Sequence, residues 1–182
     1  MGLGLSHLIS RSLEIHPVEE NELDAVLAVY QQCEDFLALG PVPNASMQMV
    51  VKDIEVSQSE GGVFCGVYSG GKMIGVVDYV LRNYEGNPQH AFLSLLMVAR
   101  SCRDQGIGKA IVEMVEAEIR KYAQVKVILS GVQVNNPQAV KFWQRNGYRI
   151  VGGPELMPDQ TTVFHLRKDL PSTDRHEDGR NA

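Results

Sequence analysis

Val98-Ala99-Arg100-Ser101-Cys102-Arg103-Asp104-Gln105-Gly106-Ile107-Gly108-Lys109-Ala110 reads as the end of a strand, a glycine-containing loop and the start of a helix. Phe92 to Val98, which leads into it, is a nearly continuous apolar run, the pattern of a central strand covered on both faces. Gly106 to Tyr122, which follows, sets Ala110, Ile111, Met114, Val115 and Ile119 at helical core spacing. A loop in this context is an anion site. The first N–H groups of a helix point outward with the positive end of its dipole, and glycines let a phosphate approach the backbone without a Cβ in the way. Arg103 and Lys109 add positive charge. Spacing disfavours two common phosphate loops. Walker A needs a glycine where Arg103 stands and a hydroxyl where Ala110 stands, and the dinucleotide fingerprint needs a glycine where Ile111 stands. The same two glycines also suit a plain strand-to-helix turn.

Upstream, Ser12 to Pro17 reads as a strand, and Asn21 and Asp24 as a cap-like pair opening an amphipathic helix that reaches Leu37. Gly40-Pro41-Val42-Pro43 ends it, and Ser46 caps a second helix with Met47, Val50, Val51 and Ile54 on one face. Val63 to Tyr68 and Met73 to Leu81 flank the hairpin turn Ser69-Gly70-Gly71-Lys72, before a polar loop from Arg82 to Gln89. Downstream come a strand from Val125 to Val134 and a helix opened by Asn136-Pro137 and stopped by Gly147. Two last strands, Tyr148 to Val151 and Thr161 to Leu166, are separated by a loop from Gly152 to Gln160. The expected fold is α/β of the α+β type, a mixed, mostly antiparallel sheet of six to seven strands flanked by about four helices. The expected organisation is a flexible N-terminus over 1–11, one domain over 12–168 and a disordered polar tail over 169–182.

At 182 residues the chain suits a single domain, and 44% hydrophobic with 21% charged residues is an ordinary globular balance without a membrane-length apolar run. The net charge of −5 argues against nucleic acid as a partner. Cys33, Cys65 and Cys102 lack metal-ligand spacing, so no metal is expected and the thiols read as reduced, in a cytoplasm. Met1 to Ser6 fits the short myristoylation pattern, but no polybasic second signal follows, so no membrane partner is expected. His7 and Arg11 are misplaced for a secretory signal.

Arg103-Asp104-Gln105-Gly106-Ile107-Gly108 resembles the pyrophosphate-binding motif Q/R-x-x-G-x-G/A of the GNAT superfamily of N-acetyltransferases, which follows the fourth strand. Asn136, Ala139, Phe142, Trp143, Gly147 and Tyr148 resemble a second pattern of that family, N-x-x-A-x-x-hydrophobic-aromatic-x-x-x-G-aromatic. The resemblance implies a GNAT domain with splayed central strands and acetyl-CoA as the acyl donor. It implies that Met97 and Val98 offer backbone groups to the pantetheine arm. Arg103, Asp104, Gln105, Gly106, Ile107, Gly108, Lys109 and Ala110 would hold the pyrophosphate, and Asn136 would contact the cofactor where the strands splay. Asp104 departs from the small residue often found there and puts a negative charge near a diphosphate.

The implied activity is N-acetylation of a primary amine of a small molecule by direct attack on the thioester. A protein or peptide acetyltransferase, and a non-catalytic acyl-CoA sensor of the same fold, stay open, as does a homodimer. An alkyl amine is mostly protonated at neutral pH, so a base must take its proton, and the Val98 N–H is the implied oxyanion donor. Many family members have a glutamate base where this chain has Ser94 and a tyrosine acid where it has Trp143. Asp78, disfavoured in a strand, is the substitute base if the Arg82–Gln89 hairpin centres near Gly86 and sets Asp78 opposite Ser94. A solvated edge position would equally explain it. Glu34 and Asp35 are candidates for attracting a cationic amine, and Tyr84 and His90 read as rim residues.

Overall fold

In the computed structural model, residues 13–171 are described. Expectations for residues 1–11, and for the tail beyond residue 171, lie outside them. Seven strands form one sheet in the order β1-β2-β3-β4-β5-β7-β6. They are β1 (Leu13–Pro17), β2 (Val63–Ser69), β3 (Lys72–Val80), β4 (His90–Val98), β5 (Val127–Gln133), β6 (Arg149–Leu156) and β7 (Thr162–Asp169). The helices are α1 (Leu23–Gln32), α2 (Glu34–Leu37), α3 (Met47–Ser59), α4 (Ile107–Ile119) and α5 (Pro137–Arg145). Only β4 and β5 pair in parallel, joined through α4, and every other neighbouring pair is antiparallel. The fold is the mixed, mostly antiparallel sheet that the element order predicts.

The sheet separates two cores. Val26, Val29, Tyr30 and Val50 of α1 and α3 pack on Phe64, Met73, Val76 and Met97. Ile111, Val112, Val115 and Ile119 of α4 and Trp143 of α5 pack on Val77, Leu93, Ile128 and Val132. Glu116, buried on α4, ties that helix to the sheet: Lys168 Nζ donates to its two carboxylate oxygens at 2.7 and 2.8 Å, and Tyr148 OH donates at 3.2 Å.

Four expectations change. The predicted first helix is divided at Cys33, whose backbone (φ −111°, ψ 17°) leaves the helical region while its Sγ donates to Val98 O at 3.4 Å. A 3₁₀ turn, Glu20–Glu22, precedes α1 in place of a cap at Asn21. Residues 152–156, read as loop, belong to β6, which pairs with β7 through two register shifts. β6 is the edge of the sheet, where Pro154 and irregular pairing are tolerated because one side of the strand needs no ladder partner. β7 reaches Asp169, and Leu170 N–H donates to Lys126 O at 2.8 Å, so the domain extends past residue 168 into the expected tail.

β4 and β5 pair only from His90↔Val127 to Leu93↔Ser130, while both strands run on. Ser130 Oγ donates to Leu93 O at 2.8 Å at the last of these pairs. Beyond it the strands splay, each held only by its other neighbour. On the β3 side the fit is close: a Cβ added to Gly75 would stand 2.6 Å from Met97 O. Gly75→Ala is therefore expected to lower stability by about 1–3 kcal/mol, read as a shift in the urea midpoint. An unchanged midpoint would show that the β3–β4 backbone yields there.

Candidate active site

The loop before α4 takes the shape its glycines foretell. Gly106 has φ +76° and open space where a side chain would stand, and Asp104 also lies in the left-handed region at φ +61°. The first helical bond of α4 runs from Ala110 N–H to Gly106 O at 3.1 Å. The N–H groups of Ile107, Gly108 and Lys109 thus belong to the first turn that has no intrahelical partner. Gly108 has a second reason to lack a side chain, because a Cβ there would meet Phe142 of α5 at 3.2 Å. Lys109 sits at the helix start with an exposed 3.5 Å contact to Glu113, which a ligand can displace.

Arg103 does not lend its charge to this loop. Its guanidinium forks onto Asp35 of α2, and its Nε donates to Val98 O at 3.0 Å. The arginine holds the Asp35 carboxyl down to about 2. Asp35 is thereby spent on Arg103, and Glu34 Oε1 accepts from Ala45 N–H at 2.9 Å. Neither acid is free to draw a cationic amine, as the sequence had suggested; they fasten α2 to the phosphate loop and to the loop before α3.

Ala99 N–H donates to Ile74 O at 2.8 Å. Backbone groups alternate direction along a strand, so Met97 turns its groups toward β3 and Val98 turns its N–H into the splayed gap. Of the two strand positions singled out for the pantetheine arm, Val98 faces the gap and Met97 is committed to the sheet. Asn136 Oδ1 accepts from Ala139 N–H at 3.0 Å and caps α5, while its amide nitrogen has no partner among the described residues.

Asp78 is buried at 8% exposure on the α1–α3 face. Ser57 Oγ of α3 donates to its Oδ1 at 2.5 Å, and Ser94 Oγ donates to its Oδ2 at 2.6 Å. The register centred near Gly86 holds for Val80↔Phe92 and Tyr79↔Leu93, then slips, so that Asp78 faces Leu95 and Ser94 is the extra residue of a bulge. The bulge re-aims Ser94 to an exposed position whose hydroxyl still reaches the carboxylate. Gly62 makes room: a Cβ there would stand 2.6 Å from Ser57 Oγ and 3.2 Å from Asp78 Oδ1. Sequence reading missed Ser57 and Gly62, which look like an ordinary helix serine and a turn glycine. Beside this cluster Tyr30 OH donates to Asp53 Oδ2 at 2.8 Å, and burial pushes the Asp53 carboxyl up.

Trp143 is buried, edge-on to Phe142 and Tyr148 at centroid distances of 5.3 and 5.0 Å, as a packing residue would be. His90 and Tyr84 are not on the rim; they lie at the opposite end of β4 from Val98, where Tyr84 stacks on Phe92. Among the described residues no helix is long and apolar enough to cross a membrane.

The model of the acetyltransferase (GNAT) family matches residues 24–148. An acetyltransferase structure from Thermus thermophilus superposes with a TM-score of 0.74 at 23% identity, covering 87% of this chain and 97% of that one. The GNAT domain of S. lividans PAT gives 0.66 at 20% identity, covering 87% and 90%. The ribosomal-protein-S18-alanine N-acetyltransferase from Escherichia coli gives 0.66 at 16% identity, covering 91% and 98%. No curated protein matches the sequence. With a splayed sheet, a glycine-bearing loop before α4 and a family match over most of its length, the chain belongs to the GNAT family of acetyltransferases.

Proposed function

We propose that the protein transfers the acetyl group of acetyl-CoA to a primary amine of a small molecule by direct attack on the thioester. The observation that carries this reading is the Ser94–Asp78 pair: a buried carboxylate with both oxygens held by hydroxyls, one of them exposed on the central strand beside the gap. Acetyl-CoA supplies an activated acyl group. The residues fit it, since Gly106 leaves the loop open to a diphosphate and β4 has an unpaired edge beyond Leu93. The first-turn N–H groups of Ile107, Gly108 and Lys109, with the Lys109 ammonium, hold the pyrophosphate. Val98 N–H is the fixed donor for charge that develops on the reacting carbonyl.

Proton removal runs through Ser94. Its hydroxyl accepts the amine proton while passing its own to Asp78 Oδ2, and Ser57 keeps the carboxylate aimed. No dedicated acid replaces the missing tyrosine, because thiols ionise at about pH 8.5 and leave unaided. The small-molecule reading is supported by the loop between α2 and α3. Asn135 Nδ2 donates to Leu39 O at 3.0 Å, and Gly40 packs near Thr161, so the loop bridges toward the β6–β7 turn. An amine that reaches in from one side fits such a groove better than a chain lying across it.

Calorimetric titration with acetyl-CoA, with ATP and NADH as controls, is expected to show selective binding that Gly106→Asp loses. Absence of binding would sink the reading. Turnover against small-amine and peptide panels then separates the acceptor classes. Asp78→Asn is expected to lower kcat by about 10²–10³-fold with the acetyl-CoA Kd unchanged; unchanged turnover would remove Asp78 from the mechanism.

The Asp35–Arg103 fork makes a separate prediction. Asp35→Asn frees the guanidinium that steadies the loop, and acetyl-CoA affinity is expected to fall a few-fold while the melting temperature drops slightly, as for a half-exposed pair. Because the folded carboxyl lies below its ordinary 3.8, the fork's contribution is full above that value and is lost as pH falls toward about 2. Melting curves should show a constant gap between parent and variant from neutral pH to about pH 4, and a gap that widens with acid would contradict this.

A further inference from the structure

We infer that the acyl acceptor seats over Gly131, whose missing side chain leaves room beside the Ser94 hydroxyl for the amine and the carbon that bears it; the inference rests on the acyl-transfer reading above. A glycine inside a strand weakens it, and its usual reasons are a bulge or the close approach of another backbone or of a ligand. Gly131 shows neither of the first two. β5 pairs with β7 without a register shift from Val127↔Asp169 to Gln133↔Val163. A Cβ on Gly131 would meet nothing nearer than Phe164 O at 4.0 Å. Every other described glycine either has a positive φ or would bring a Cβ within 3.5 Å of a neighbour. Turn geometry and packing explain those and leave Gly131 over.

The position of Gly131 says which ligand. Ile128 and Val132, on one side of β5, belong to the α4–α5 core, so Gly131 faces the α1–α3 side, as Ser94 and Asp78 do. The strand residues of the α1–α3 core come from β2, β3 and β4, and Gly131 lies beside that core, partly exposed. Counting on from the last strand pair, Leu93↔Ser130, Gly131 is level with Ser94, on the first step after β4 and β5 part. On its other side it pairs with His165 of β7, whose ring leans away over Gly152: Nε2 is held to Glu155 Oε2 at 2.6 Å, and a Cβ on Gly152 would stand 3.4 Å from Cδ2. A hollow is left between the Ser94 hydroxyl and the His165 imidazole, floored by the Gly131 backbone.

Strand addition sets a pantetheine arm in the plane of the sheet, along the free edge of β4. The absent Gly131 side chain would rise out of that plane, on the face where Ser94 takes the amine proton. The hollow therefore belongs to the acceptor and not to the acyl donor. A methyl group at position 131 would stand against the carbon that bears the amine, and branching at that carbon competes for the same room.

The test compares the full-length protein with Gly131→Ala and Gly131→Val, with acetyl-CoA as donor and butylamine, benzylamine and sec-butylamine as acceptors; only the last is branched at the carbon bearing the amine. Gly131→Ala should melt no lower than the parent, since the fold leaves room for the methyl and alanine loses less backbone entropy on folding, and it should bind acetyl-CoA as the parent does. Its kcat/KM should fall about tenfold for butylamine and benzylamine and further for sec-butylamine, and Gly131→Val should deepen each loss. Unchanged kcat/KM in Gly131→Ala would overturn the inference. So would a lower melting temperature, which shows that the fold itself needs the glycine, or weaker acetyl-CoA binding, which assigns the hollow to the cofactor; all three leave acyl transfer intact. A parent that acetylates none of these amines overturns the small-amine reading and the inference together.

Discussion

β4 and β5 run in parallel as far as Leu93 and Ser130 and then part, and the site is built on that parting. Each strand is secured on its far side, β4 by β3 and β5 by seven residue pairs with β7, so the two can separate without losing the sheet. Their facing edges are then left with backbone groups that need partners. An extended ligand rich in amides can supply them by adding to a strand edge, as peptides do to exposed sheets. The Ser130 hydroxyl marks the point of divergence by bonding across to Leu93 O. Below it the strands form an ordinary buried sheet; above it they form a cleft.

Charge around the cleft is arranged by the same economy. Asp78 is satisfied by two hydroxyls and Asp53 by a phenol, and among the described residues neither forms a salt bridge. Acids that do meet cations lie elsewhere, among them Asp35 with Arg103 and Arg100 and Glu116 with Lys168 and Arg120. Those pairs fasten α2 and α4 to the framework.

Most of the fold was legible because its elements announce themselves locally. Ser46 caps α3, Gly70-Gly71 turns the β2–β3 hairpin, and Asn136-Pro137 opens α5 as patterning predicts. What was not legible depends on contacts distant in sequence. No local rule divides the first helix at Cys33, whose thiol is bonded 65 residues away to Val98 O. Period-two reasoning brought Asp78 and Ser94 to one face, but the bulge that aims Ser94 is invisible in the apolar run around it. Arg103 was read as a phosphate ligand because it stands first in the motif. A side chain that long follows the strongest partner within reach, and Asp35 comes from another helix.

The two sequence motifs turn out to meet. Phe142, from the second, packs where Gly108, from the first, lacks a side chain, and Asn136 caps the helix that carries Phe142. Part of each motif is therefore explained by the joint between α4 and α5, with no ligand required. Gly106 is different: its left-handed φ sets the turn, and the open space beside it serves no internal neighbour. Packing accounts for Gly108 and Phe142 and turn geometry for Gly106, whereas the N–H groups of Ile107, Gly108 and Lys109 have no partner within the helix. On the function proposed above, those groups receive the anionic part of an acyl carrier whose arm adds to the open strand edge.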